Sequence, residues 1–228
     1  MTLILGTSSE FRRKFFQEYF CEFVKDPSSQ FLTPDIDEKA IRDPDSGELC
    51  QKIAQAKCDA ILKRENLPKD GIILTFDQVV VCNNQLREKP VNEEEARKFL
   101  KSYSDGFPAL ALSGVVAHNL ANNQRFCLLD KVTAEFTEFP DEVVNHLIQK
   151  GEIFKASGSF TIGDRELGKY VKNLDGTLDA IEGLPVEAIK MVLKKVSDLK
   201  FPIEKPLAQI THVLFDMDGL ILGMLLWF

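Results

Sequence analysis

Three segments of the chain carry residue types that can do chemistry. In Leu5-Gly6-Thr7-Ser8-Ser9-Glu10-Phe11-Arg12-Arg13, small hydroxyl residues stand where a helix should begin. A helix N-terminus offers backbone N–H groups to an anion, and Thr7 and Ser9 add hydroxyl donors. Arg12, one turn into the helix, adds a forked and permanently charged contact suited to phosphate. A capped surface helix with solvated arginines would carry the same residues. The second segment is Leu74-Thr75-Phe76-Asp77-Gln78-Val79-Val80-Val81. A carboxylate among apolar β-branched neighbours is costly to bury unless it is paired or binds metal. Asp77 is therefore a candidate general base or metal ligand, or else a salt-bridged strand-end residue. The third is Asp35-Ile36-Asp37-Glu38, which could hold Mg²⁺ or Mn²⁺ through oxygen ligands or could simply be a solvated loop. Lys57 and Lys89 are candidate point charges for phosphate.

These residues need elements to position them. Residues 2–6 read as a short buried strand leading into a helix, with Ser8 or Ser9 as N-cap and aromatic residues at helical spacing. Residues 49–64 form the next expected helix, with Leu49, Ile53, Ala56 and Ala60 on one face. Residues 71–82 read as a buried strand closed by an Asn83-Asn84 turn. Residues 93–102 are a helix with an acidic first turn. Two alternating runs flanking Asn122-Asn123 predict a hairpin. A helix ends at Gly151, residues 153–182 read as irregular, and residues 186–199 form a last helix. Strands and helices intermix, so the fold class is α/β, or mixed α+β.

The 228 residues suffice for one large domain or two small lobes. The 28 basic and 35 acidic residues leave a net charge of −7, which argues against a general nucleic-acid binder. Five cysteines without a CxxC pair point to reduced thiols rather than a zinc site. The N-terminus lacks a basic n-region, and no apolar run nears the roughly 20 residues of a membrane span. A cytoplasmic protein without a membrane partner is expected. The three histidines, His118, His146 and His212, lie in unrelated contexts, and neither a P-loop nor a GxGxxG fingerprint occurs.

Taken in order, LGTSSEFRR, PDIDE, AQAK, TFDQVVV, REKP with EEARKFLKSYS, ASGSFTIGD and GTLDAIEGLP resemble the Maf family of nucleotide pyrophosphatases over about residues 3–196. The resemblance implies a Maf/ITPase-like fold, with two lobes around an extended, twisted mixed sheet and a central cleft. It implies hydrolysis of a nucleoside triphosphate to monophosphate and pyrophosphate, with a divalent metal (Mg, Mn or Co), by a house-cleaning enzyme that forms a homodimer. Asp77 matches the family's catalytic Asp, proposed to accept a proton from water, and would share the metal with Glu38. Thr7, Ser9 and Arg12 match its triphosphate loop, and Lys57 and Lys89 match its two lysines. Thr7 stands where Ser is usual, Glu10-Phe11 where Pro-Arg is usual, and Gly163 where Gln or Glu is usual. Within the family, one subgroup prefers dTTP and UTP. The other has an aromatic residue, then Gln after the catalytic Asp, then Glu, and prefers 7-methyl-GTP. Phe11 and Gln78 match the second pattern. An aromatic face attracts the positive charge of a methylated guanine. A carboxylate would accept its N–H groups, a role that falls to Asp164 or Glu166 because Gly163 has no side chain.

Residues 1–198 are thus expected to be the Maf-like domain and 199–209 a proline-bearing linker. Residues 210–228 resemble the opening of a haloacid-dehalogenase-like phosphatase, in which Asp216 would be the nucleophile and Asp218 the acid/base. The residues such a phosphatase needs far downstream are not in this sequence. The segment is therefore expected to be a truncated first strand, with Asp216 inactive and phosphomonoester hydrolysis disfavoured. The alternative to an enzyme is a nucleotide-binding regulator of cell division that binds without turnover.

Overall fold

A computed structural model describes residues 2–20 and 30–198. The linker and second beginning expected over 199–228 lie outside the described residues. The elements run β1 (Thr2–Gly6), α1 (Glu10–Phe20), β2 (Gln30–Leu32), α2 (Ser46–Leu62), β3 (Gly71–Cys82), β4 (Gln85–Arg87), α3 (Glu93–Ser104), β5 (Ala109–Asn119), β6 (Arg125–Phe136), α4 (Asp141–Lys150), α5 (Arg165–Gly168), β7 (Val171–Asp175), α6 (Leu178–Ile181) and α7 (Val186–Val196). One mixed sheet of seven strands runs β2-β1-β3-β5-β6-β7, with β4 attached to β3. The mixed α/β class expected from the sequence is the one observed. No helix among the described residues is long and apolar enough to cross a membrane.

Strand β3 organises the molecule. One edge pairs with β5 continuously from Ile72 to Val81. On the other, β1 leaves at the Gly6–Thr75 pair and β4 begins at Val80–Arg87. Residues 76–79 therefore have no strand partner on that edge, and Asp77 lies in this gap. The gap is possible because Asn83 and Asn84 both take positive φ, folding β4 back in a two-residue turn after a long strand.

The apolar run of β3 is buried on both faces, as continuous rather than alternating hydrophobicity requires. One face meets α1 and α7 through Ile72, Leu74 and Phe76, which pack with Phe16, Phe20, Ile189 and Leu193. Farther along the same face, Val80 and Cys82 join a second core with Leu100, Tyr103 and Leu147 from α3 and α4. Gln78 lies between these two cores, and Asp77 faces the other way.

The opposite face is covered by α2. Its buried stripe is Leu49, Cys50, Ile53, Ala54, Lys57, Cys58 and Ile61. The expected stripe through Ala56 and Ala60 is rotated from this, because the two cysteines and a lysine are the inward residues. α2 also docks through polar contacts. The Thr75 hydroxyl donates to Ala54 O at 2.7 Å, and the Cys50 thiol donates to Asp77 O at 3.0 Å. Gly114 N donates to Cys50 Sγ at 2.9 Å. Burial pushes the Cys50 thiol up to about 12, so it stays protonated.

The stretch 153–182, expected to be irregular, contains α5, β7, α6 and two 3-10 turns. Elements of three to five residues are too short to show a period in sequence.

Helix α2 sits so close to β5 that a Cβ on Gly114 would lie 2.7 Å from Cys50 O and 3.0 Å from Gln51 Cα. These are backbone atoms and cannot step aside. Gly114→Ala should lift α2 off the sheet at a cost of about 1–3 kcal/mol, lowering the melting temperature by several degrees. A calorimetric comparison with wild type checks this, and an unchanged midpoint would refute the close approach.

Candidate active site

The gap in β3 leaves the Phe76 and Gln78 carbonyls without strand partners. Lys57 reaches from α2 and donates to Phe76 O at 3.2 Å. The Ser157 hydroxyl donates to Gln78 O at 3.1 Å. Each orphan acceptor of the broken ladder is thereby satisfied by a side chain.

Lys57 also holds both candidate acids. Its Nζ lies 2.8 Å from Asp77 Oδ1 and 2.8 Å from Glu38 Oε1. Lys57 and Asp77 are buried, whereas the Glu38 side chain is about half exposed, at 49%. Two carboxylates from segments 39 residues apart thus converge on one ammonium. Glu38 reaches it from a 3-10 turn, Glu38–Ala40, in which Asp37 Oδ1 accepts from Lys39 N. Of the acidic cluster, only Glu38 reaches Lys57.

Burial raises the pKa of Asp77, against the pull of Lys57 and Arg12, and Glu38 adds to the rise. Burial acts upward on Glu38 too, but Lys57, Lys89 and Arg12 together hold it below the usual range. The two acids differ because Glu38 is half solvated and Asp77 is not.

Arg12 acts on both acids through its field. Its Nε donates to Gly183 O at 2.9 Å. Burial lowers its pKa, while Asp77, Cys50 and Glu38 oppose that change. Its backbone N–H is capped by Ser9 Oγ at 3.3 Å, and Ser9 N in turn is held by Thr7 Oγ1 at 3.1 Å. Ser9, rather than Ser8, therefore caps α1. Arg13 serves the loop instead, donating twice to Thr7 O at 3.2 and 2.8 Å. Phe11 projects outward, 44% exposed, with its ring 4.8 Å from that of Phe15. Lys89 is exposed and acts on Glu38 through its field.

Gln78 lies on the other face of β3 from Asp77. Its Nε2 donates to Ser113 Oγ at 3.2 Å and to the Ala180 and Ile181 carbonyls at 3.0 and 3.3 Å. The side chain therefore anchors the segment that carries Gly183. That glycine has φ +94°, and a Cβ there would lie 3.0 Å from Gln78 Oε1 and 3.2 Å from Arg12 Nη2. Only glycine lets the turn, the glutamine and the arginine meet.

Asp164 is not brought into this constellation. Its Oδ1 accepts from Glu166 N and Leu167 N at 2.9 and 3.2 Å, capping α5. Its Oδ2 accepts from Lys150 at 3.0 Å, with His146 Nε2 at 3.5 Å. Both oxygens are engaged by structure, and Glu166 pairs with Lys169. Neither takes up the space beside Gly163. Its occupant is Glu182, whose Oε1 accepts from Gly163 N at 2.8 Å. Sequence reasoning missed Cys50, Ser157, Glu182 and Gly183. The segment GTLDAIEGLP was visible, but a glycine and a glutamate in a loop carry no spacing that announces them.

The Maf-like protein family model matches residues 2–196. The chain belongs to this family. It is 35% identical over 200 residues to a 7-methyl-GTP pyrophosphatase of Dictyostelium discoideum, covering 86% of this chain and 97% of that one. It is 26% identical to a 7-methyl-GTP pyrophosphatase of Idiomarina loihiensis, covering 85% and 94%. It is 29% identical to a dTTP/UTP pyrophosphatase of Clostridium beijerinckii, covering 86% and 100%. Among solved structures, a HAM1 protein from Coxiella burnetii is similar with a TM-score of 0.39 and 14% identity, over 61% of this chain and 75% of that one. As a family member, the chain is a hydrolase of acid anhydrides.

Asp164 gives a pH test. Burial alone would raise its pKa, yet Lys150 and the capping N–H groups of α5 bring it below the ordinary 3.8. A lowered acid stabilises the fold above its unfolded pKa and loses that effect as pH falls through the folded value. Asp164→Asn keeps a capping oxygen but loses the charge facing a partly exposed lysine, so it should cost roughly 1 kcal/mol or less at neutral pH. In urea unfolding, its difference from wild type should stay constant above about pH 4 and close below it. A gap that widens in acid would contradict the assignment.

Proposed function

We propose that the protein is a metal-dependent nucleoside triphosphate pyrophosphatase that converts 7-methyl-GTP to 7-methyl-GMP and pyrophosphate. The observation that carries this reading is a buried Asp77 beside Glu38 on one ammonium, at a gap in the sheet edge and within the field of Arg12. In this reading Asp77 accepts the proton of a water that attacks the α-phosphorus. The new bond joins water oxygen to the α-phosphorus, the α–β anhydride bond breaks, and pyrophosphate leaves with the electron pair. Arg12, Lys57 and Lys89 offset the charge of the triphosphate, while Thr7 and Ser9 shape the loop at the α1 N-terminus.

The donor set fits a divalent metal. Among the described residues no group of three or more His, Cys, Asp or Glu is placed to hold an ion. Glu38 and Asp77 each give one oxygen to the Lys57 ammonium, which brings the two carboxylates side by side, and Mg²⁺ typically takes one or two carboxylates plus substrate phosphates and water. Those two residues would hold it, and when bound it would neutralise phosphate oxygens.

Two features favour 7-methyl-GTP over dTTP and UTP. Phe11 offers an exposed aromatic face near Arg12, suited to a cationic base. The Dictyostelium relative also bears that substrate in its name.

Pyrophosphate release from 7-methyl-GTP, GTP, dTTP and UTP with Mg²⁺, Mn²⁺ or Co²⁺ tests the reading. Asp77→Asn should lower turnover about 10²–10⁴-fold while nucleotide still binds, and chelation should abolish turnover in wild type. Equal rates for wild type and Asp77→Asn would sink the mechanism. Tight binding without turnover under any metal would favour a regulator, and a clear preference for dTTP would reverse the base assignment.

A further inference from the structure

Gly163 leaves a hole where a side chain would otherwise stand, and the fold fills it from elsewhere. An ideal Cβ on Gly163 would lie 2.3 Å from Glu182 Oε1. Glu182 and a side chain at 163 therefore exclude each other in this arrangement. The carboxylate is fixed by the 2.8 Å hydrogen bond from Gly163 N to Oε1. Its Oε2 has no hydrogen-bond partner among the described residues, and Gly163 itself is exposed, so the carboxylate borders an opening.

Glu182 directly precedes Gly183, whose carbonyl holds Arg12 and whose α-carbon abuts Gln78. It is thus tied through one residue to the cation proposed for the triphosphate. Its other neighbours have a common character. Asp179 lies near enough to act on Glu182, Asp130 and the Tyr19 hydroxyl, and Glu182 acts on Tyr19 too. Asp130 Oδ2 is buried without a partner. Along α1 the rings of Phe11, Phe15 and Tyr19 follow one another at 4.8 and 5.5 Å. Clustered carboxylates beside exposed aromatic faces make a region that favours a flat organic cation over a neutral or anionic ring.

Resting on the 7-methyl-GTP reading, we propose that Glu182 is the specificity-determining carboxylate of this site. It accepts the amide and amino N–H groups of a cationic purine from the place a residue-163 side chain would fill. Glu182→Gln is the informative variant because its carbonyl oxygen can still receive Gly163 N–H while the charge is lost. A purely structural role predicts no change in substrate choice. A recognition role predicts that the ratio of kcat/KM for 7-methyl-GTP over GTP falls about tenfold or more, while dTTP hydrolysis stays within about twofold. The double variant Gly163→Glu with Glu182→Ala returns a carboxylate from the other side of the gap, and should recover most of the lost ratio relative to Glu182→Ala alone. If wild type prefers 7-methyl-GTP but Glu182→Gln leaves the ratio unchanged, or slows every nucleotide equally, the inference is overturned and the reaction stands. If wild type shows no such preference, the base assignment falls and this inference with it.

Discussion

A single buried ammonium sets the terms for the site. Lys57 satisfies an orphan carbonyl of β3, balances the buried Asp77 and draws Glu38 in from a loop. A charged pair inside a protein is tolerable only when its geometry is good and its remaining hydrogen bonds are made. Removing one partner of such a pair typically costs about 3–5 kcal/mol, because the other is left buried and uncompensated. The placement of α2 is therefore under tight constraint. Cys50, Ala54 and Lys57, spaced by four and three residues, meet Asp77, Thr75 and Phe76 of β3 along one helical stripe. Gly114 permits that approach by having no side chain.

The gap in the sheet edge is the complementary constraint. Had β1 or β4 continued along β3, the Phe76 and Gln78 carbonyls would have been paired, and Asp77 would have been enclosed. With the edge open, side chains from three separate segments enter: Glu38 and Ser157 from two 3-10 turns and Lys57 from α2. Asp77 and Gln78 point to opposite faces because a strand alternates. Asp77 meets the lysine of α2, whereas Gln78 anchors the turn at Gly183 that holds Arg12. One dipeptide on one strand thus organises both faces.

Much of this was legible in the sequence. The apolar run around Asp77 signalled a strand, and the cost of burying a charge there signalled a partner or a metal. Asn-Asn turns and the αL glycine at 151 marked their elements correctly because such conformations demand few residue types. What could not be read was which cation would reach Asp77, since Lys57 on a helix looks like any helical lysine. Apolar spacing does not reveal the inward stripe of α2, because that stripe includes two cysteines and a lysine, although cysteine is among the most buried residue types. Gln78 and Asp164 are polar residues in apolar surroundings, and sequence does not show whether such a group faces a ligand or a neighbouring backbone. Here Gln78 Nε2 and both oxygens of Asp164 face protein partners.

Charge distribution joins these observations. The chain is acidic overall, so its field as a whole repels a triphosphate. On the proposed reading attraction must be local, and Arg12, Lys57 and Lys89, which surround Glu38, would supply it. Beyond Gly183 the chain places carboxyl groups instead, and burial together with Asp179 raises both Asp130 and Glu182. A nucleotide with an anionic triphosphate and a cationic base has the same polarity in reverse. On the proposed reading, a neutral base would gain the first attraction and forgo the second. Discrimination between 7-methyl-GTP and GTP would then rest on the acidic end, whereas affinity for any triphosphate would rest on the basic one. Specificity and turnover would therefore be separable by substitution, because the two ends share only the short turn at Gly183.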